Sequence, residues 1–210
     1  GIAENYSSNY GTEGPSNAPF IEETRNRQVK NFFATLLLSI GTPMLLGGDE
    51  FRRTQNGNNN AYCHDNELTW YGWSLLKKHK DIYRFVRCLI AFRKSHNAFR
   101  REDFFRGVGK RSIGTIGASG QSKINKYKPN DISDIGTLPD IIWYDQNGLP
   151  PQWNKMGKVL VARINERISS GDFPCSYLLA FNASPEAVQI CLPHDNEQDI
   201  WKRVIDTSFP

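Results

Sequence analysis

TRNRQVKNFFATLLLSIGTPMLLGGDE, residues 24–50, holds the transition that decides the fold. Val29, Phe32, Phe33, Leu36, Leu37 and Ile40 recur at steps of three and four, which places them on one stripe of a helix over residues 24–40. Gly41 and Pro43 then stop it, because glycine takes the left-handed turn that ends helices and proline cannot continue one. Residues 43–48, Pro-Met-Leu-Leu-Gly-Gly, are apolar without alternation, the pattern of a short strand buried on both faces in a parallel sheet. Residues 47–70, GGDEFRRTQNGNNNAYCHDNELTW, follow as a long loop crowded with amide and charged side chains. In α/β architectures ligands bind beyond the carboxyl ends of strands, so this loop reads as one wall of a site.

Working outward, residues 1–23 read as loop, punctuated by Gly11, Gly14, Pro15 and Pro19. A second helix is expected over residues 75–95, with Ile82, Phe85, Val86, Leu89 and Ile90 as its stripe. Helix, strand, helix is the order of alternating α/β. A lone strand leaves its backbone groups unpaired, so residues 1–97 are expected to have lost its partners or acquired substitutes, as in a chain truncated at its start. Beyond Asn97 the helical period disappears. Strand-length segments at 103–106, 140–145, 158–165, 176–183, 187–192 and 200–206 are separated by Gly, Pro, Asn and Asp, the pattern of an antiparallel sandwich. Residues 107–138, rich in glycine and serine, read as a long mobile insertion. Two domains are expected, residues 1–97 and residues 98–210.

Bulk properties exclude several classes. Of 210 residues, 39% are apolar, 12% aromatic and 23% charged, which suits an ordered protein with a packed core. A net charge of +4 falls short of the concentrated positive face that nucleic-acid binding needs. Cys63, Cys88, Cys175 and Cys191 are far apart with no CxxC pair, so buried, reduced thiols are expected rather than a zinc site or disulfide framework. No apolar run approaches bilayer length, and GIAENYSSNYGTEGP shows no basic segment followed by an apolar core, so neither membrane nor secretion signal is expected.

The loop offers two kinds of chemistry. On a strand end, Asp49 and Glu50 would point to opposite faces, which prevents them from acting as an acid and base across one substrate; a carboxylate there serves to hold the loop by hydrogen bonds to amides. Asn58, Asn59 and Asn60 suit Asx turns, and equally suit sugar hydroxyls, since an amide offers two donors and an acceptor. Tyr62, Trp70, Tyr71 and Trp73 offer flat apolar surfaces for pyranose rings, and Arg53 and Gln55 add donors. His64, His79, His96 and His194 are isolated, so no metal is expected, and the absence of GxSxG, P-loop and dinucleotide fingerprints leaves no cofactor implied.

These residues carry a family resemblance. ENYSSNYGTEGP (4–15), RNRQVKNFFATLLLSIGTPMLLGGDEF (25–51), RTQNGNNNAYCHDNELTW (53–70), FRREDFFRG (99–107), DIIWYDQNGLPPQW (140–153), SYLLAFNA (176–183) and IWKRVIDT (200–207) together resemble the C-terminal portion of isoamylase-type and glycogen-debranching enzymes of the α-amylase clan. The resemblance implies that residues 25–40 are the seventh helix of a (β/α)8 TIM barrel, 43–48 its eighth strand, 49–73 the loop on its active side and 75–95 its eighth helix. The remainder would be the β-sandwich domain C. Branched α-glucans such as glycogen or amylopectin would contact Arg53, Gln55, Asn58, Asn59, Asn60 and Tyr62.

The missing N-terminal part of the barrel would be the other partner. The clan's catalytic carboxylates lie on earlier strands, so no catalytic residue is expected in this chain, and retaining hydrolysis requires a carboxyl pair about 5 to 5.5 Å apart. A glucan substrate and sparse cysteines favour the cytoplasm or a plastid. A non-catalytic glucan-binding or regulatory protein is the alternative. Four positions depart from the family pattern: Arg52 stands for Gly, His64 for Gln, Ser8 for Trp and Tyr10 for Cys.

Overall fold

The computed structural model describes residues 3–4, 6–105, 139–155, 157–166, 175–194 and 200–209. The chain divides into two compact units, Gly1–Arg100 with Arg203–Pro210, and Arg101–Lys202. The first is helical and the second holds a small antiparallel sheet. The expected insertion at 107–138 lies outside the described residues.

In the first unit, α1 spans Pro19–Leu38, beginning five residues before the expected start. Pro19 is the reason: at the first turn of a helix its missing N–H would have no partner anyway, and its fixed φ is already helical. The buried stripe is narrower than expected, since Phe33 and Leu37 are buried whereas Phe32 is 75% exposed. Lys30 is buried among these apolar neighbours, with its ammonium donating to the Phe209 carbonyl at 2.7 Å. The second expected helix is divided at His79 into α2, Ser74–Lys78, and α3, Lys80–Ser95. From α3, Ile82, Val86 and Leu89 meet Phe33 and Leu37 in one apolar cluster, with Ile205 of the C-terminal segment against it.

Arg93 on α3 ties the pair together. It donates to the carbonyls of Leu37 and Ser39, each at 2.7 Å, and of Gly41 at 2.5 Å. The end of a helix leaves carbonyls without intrahelical partners, and α1 has no basic residue in its own last turn, so the cation comes from the neighbour.

Residues 43–48 form no strand. They connect α1 to the 3₁₀ turn Asp49–Phe51 and themselves turn at Gly47 and Gly48, and no described segment pairs with them. Apolar character alone does not make a strand without a partner to accept its hydrogen bonds, and Met44 and Leu46 remain 88% and 57% exposed.

The second unit contains β1, Ile141–Tyr144, β2, Val159–Asn165, and β3, Ser176–Asn182, in the order β1-β2-β3. Both pairings are antiparallel, with Trp143 opposite Ala162, Tyr144 opposite Val161, and Val161 opposite Ala180. These strands fall within the strand-length segments expected at 140–145, 158–165 and 176–183. Residues 187–192 and 200–206, also expected as strands, do not join the ladder. Val188 and Ile190 instead pack on Tyr144, Val159 and Val161, so their period of two covers a sheet face without extending its edge. All four cysteines are exposed, contrary to the expected burial; Cys88 sits on the outer side of α3, one residue before buried Leu89. No described helix is long and apolar enough to cross a membrane.

Candidate functional site

The loop of residues 49–73 is built on the glycine pair before it. Gly48 has φ 97°, the left-handed region that favours glycine, and a Cβ there would stand 2.8 Å from Cδ of Arg53 and 3.0 Å from Cε1 of Tyr71. A Cβ on Gly47 would meet the Tyr71 hydroxyl at 3.0 Å. Both ends of the loop therefore close over bare backbone. Arg53 lies over the Tyr71 ring at 5.7 Å, within cation–π range, and Trp73 sits 5.8 Å from Tyr71 and 5.6 Å from buried Phe51.

Arg53 also donates to the Thr69 carbonyl at 3.3 Å and to Oε1 of Gln55 at 3.0 Å, and Gln55 passes the chain on to the Asn58 carbonyl at 2.7 Å. Oδ1 of Asn58 accepts from the amide of Asn60 at 2.9 Å, and Oδ1 of Asn60 from the amide of Tyr62 at 3.3 Å, two successive Asx turns. Asn59 donates to the Glu4 carbonyl at 3.2 Å, and the Trp70 indole to Asp65 at 2.9 Å. The six residues singled out in the sequence thus fall into two groups. Arg53, Gln55 and Asn58 are half-buried and brace the loop, whereas Asn59, Asn60 and Tyr62 are exposed on it.

Asp49 and Glu50 do not alternate across a strand, because the chain turns there in a single 3₁₀ turn. Glu50 accepts from the Gly48 amide at 2.7 Å, the loop-holding role that a carboxylate at this place suits, although the bond goes back two residues, to the glycine before the loop. Burial raises the Asp49 carboxyl above its ordinary value; Arg53 opposes this and Glu50 adds to it. No group of three His, Cys, Asp or Glu among the described residues is arranged to hold a metal ion.

A charged cluster borders the loop. Arg25 donates to the carbonyls of Asn9 and Gly14 at 2.8 Å, to that of Thr12, and to Glu22 at 2.9 Å, so it fixes the path of residues 9–14. Arg52 reaches Glu22 at 3.0 Å and Asn26 at 2.7 Å. Burial pushes the Glu22 carboxyl upward, but the hydrogen bonds and charges of Arg52 and Arg25 together hold it below its ordinary value. His79 is lowered, first by burial and then by Arg52 and Lys78. Sequence reasoning missed this cluster, because nothing in the spacing of Glu22, Arg25 and Arg52 shows that a turn will bring them together. The stack over Gly47 and Gly48 had a signal: paired glycines before an arginine, with aromatics at the far end of the loop.

Comparison with known proteins gives the site its context. The chain is 36% identical over 221 residues to the glycogen operon protein GlgX homolog of Mycobacterium tuberculosis (strain ATCC 25618 / H37Rv), a match covering 100% of this chain and 28% of that protein. It is 40% identical over 208 residues to isoamylase SU1, chloroplastic, of Zea mays, covering 99% of this chain and 22% of that one. The chain belongs to the isoamylase-type debranching family. No family model matches. The solved pullulanase from Anoxybacillus sp. LM18-11, complexed with maltotetraose, aligns with 76% of this chain and 22% of its own at 22% identity and a TM-score of 0.37, too slight a likeness to argue from. The chain spans less than a third of the length of these curated relatives. Among isoamylase-type sequences the place of Arg52 is expected to be Gly, and here Arg52 adopts φ 58°, the conformation glycine takes readily. From this conformation the Arg52 side chain makes the ion pair to Glu22 at 3.0 Å.

Proposed function

We propose that this chain serves as the C-terminal segment of a debranching glycoside hydrolase acting on α-1,6 branch linkages of glycogen or starch. In that reading residues 1–97 are the end of a (β/α)8 barrel and residues 98–210 belong to domain C. Arg53, Gln55 and Asn58 shape the loop, and Asn59, Asn60 and Tyr62 face a branched glucan. The observation that carries the reading is the loop of residues 49–73. Its inner polar groups are engaged with its own main chain, which leaves a stiff wall with amides and with Tyr71 and Trp73, 47% and 67% exposed, on its outer side. A stiff wall of amides and aromatic faces suits sugars, because hydroxyls bond to amides while the C–H faces of pyranose rings lie on aromatic carbon.

Two further observations support it. Phe20, Phe32, Met44 and Leu46 on the helical unit are exposed by 57% or more, apolar side chains whose burial against other parts of a barrel would fit. Asp49 and Glu50 share one turn and Glu50 is bonded to the Gly48 amide, so they do not provide the flanking carboxyl pair that retaining hydrolysis needs. The chemical groups would come from the earlier strands. Affinity electrophoresis tests glucan binding: the folded chain is expected to migrate more slowly in a gel cast with glycogen than in a plain gel. Equal mobility in both would count against the reading, and release of reducing ends from amylopectin by this chain alone would overturn the placement of the catalytic groups elsewhere.

A further inference from the structure

The second unit carries a pair of tryptophans that the loop reading leaves unused. Trp143 stands on β1 opposite the small Ala162, and its ring lies 6.0 Å from that of Trp153 at 76°. This edge-to-face arrangement is a preferred one for aromatic pairs, and it holds Trp153 in the 3₁₀ turn Trp153–Lys155. Even so, 59% of Trp153 remains in solvent.

The neighbouring turn is equally well fixed. Oδ1 of Asp145 accepts from the amides of Asn147 at 2.8 Å and Leu149 at 3.0 Å, and the Asp145 amide donates to the Leu149 carbonyl at 2.7 Å. Gly148, at φ 74°, brings the chain close to Cys191, where a Cβ would lie 3.5 Å from that of the cysteine. The polar side chains exposed along this stretch are Gln146, Asn147, Gln152, Asn154 and Lys155. Asp145 is the single carboxylate in residues 141–155, and the turn engages it. What remains is a held indole flanked by neutral donors and acceptors.

We propose that Trp153, held by Trp143 and flanked by Gln152 and Asn154, is a second contact surface for α-glucan chains, carried by the sheet unit and independent of the loop of residues 49–73. The indole takes the C–H face of a pyranose, and the amides take the hydroxyls on its rim. A neutral ligand is favoured over an anionic or cationic one because the free polar groups are mostly amides. The choice of glucan as ligand rests on the function proposed above, whereas the site itself rests on the tryptophan pair.

Affinity electrophoresis in glycogen separates the two. The native chain, Trp153→Ala, the milder Gln152→Ala/Asn154→Ala and the loop variant Tyr71→Ala/Trp73→Ala are run side by side, with circular dichroism confirming that each is folded. Trp153→Ala is expected to weaken retardation roughly threefold to tenfold through loss of the stacking ring, with a smaller loss for the amide variant. Maltoheptaose is expected to change the tryptophan fluorescence of the loop variant, in which Trp153 is intact. If Trp153→Ala is retarded as strongly as the native chain while the loop variant is not retarded, the second surface is overturned and the loop reading stands. If the loop variant keeps its retardation and Trp153→Ala loses it, the second surface stands and the loop reading falls. A native chain that glycogen does not slow removes both.

Discussion

The helix pair and the polar loop are close in the sequence and are held by different forces. Between α1 and α3, Phe33, Leu37, Ile82, Val86 and Leu89 are buried together, and the cohesion is apolar burial with one arginine closing a helix end. In the loop of residues 49–73 only Phe51 is buried, and the path is fixed by side chains bonding to nearby main chain. Burial depends on a residue's face and tolerates small shifts. A hydrogen bond from Gln55 to the Asn58 carbonyl depends on every torsion between them. The two regions should therefore fail differently when altered.

The largest effect is expected in the helix pair. Leu89→Ala leaves a cavity in the cluster and should cost about 2–5 kcal/mol of unfolding free energy, measured by urea denaturation followed by circular dichroism. Its counterpart in the loop, Asn60→Ala, removes one exposed hydrogen bond to the Tyr62 amide and should change stability by less than about 0.5 kcal/mol. Equal losses from the two would break the comparison.

The same contrast explains what could be read from the sequence. The apolar stripe of α3 was legible because Ile82, Val86 and Leu89 recur at helical spacing whatever surrounds them. The three strands were legible as strand-length segments bounded by turn residues. Residues 43–48 were misread because a strand exists only with a partner, and apolar character carries no information about one. Residues 187–192 were misread for a related reason, since Val188 and Ile190 alternate to cover a sheet face and that pattern looks the same as a ladder strand. Buried Lys30 was invisible, because its acceptor is the Phe209 carbonyl at the far end of the chain. In the loop the residue types were informative and their division of labour was not: the same amides can brace or bind, and only the path decides which.

A change at Gly48 should loosen the loop while sparing the helices. Gly48→Ala places a Cβ at φ 97° and 2.8 Å from Arg53, so the backbone conformation costs about 1–2 kcal/mol and the Arg53–Tyr71 stack must shift. Hydrogen exchange is expected to quicken at the amides of Arg53, Asn58 and Trp70, which are bonded within the loop, and to change little at the buried turns of α3. Uniform quickening in both regions would show that the loop is not a separately held structure. No quickening anywhere would show that the stack is dispensable.

The smallest effect concerns the charged cluster that joins the two regions, and its sign can be fixed in advance. Glu22 lies on α1 and pairs with Arg52 of the loop, and its carboxyl is held below the ordinary value of 4.5 in the folded chain. A carboxyl with a depressed folded pKa stabilises the folded state fully above its unfolded pKa, and that contribution disappears as the pH falls through the folded one. The native chain should exceed Glu22→Gln in stability at pH 7, and the gap should close on acidification below about pH 4.5 as the native carboxyl takes up its proton. Because Glu22 keeps 31% of its side chain in solvent, screening limits the gap to about 0–1 kcal/mol, and added salt should shrink it further. Urea titrations of both proteins from pH 7 to pH 3 measure this directly. A gap that widens on acidification would mean that Glu22 is held as the neutral acid, and that Arg25 and Arg52 fix the loop through their carbonyl and amide contacts without an ion pair.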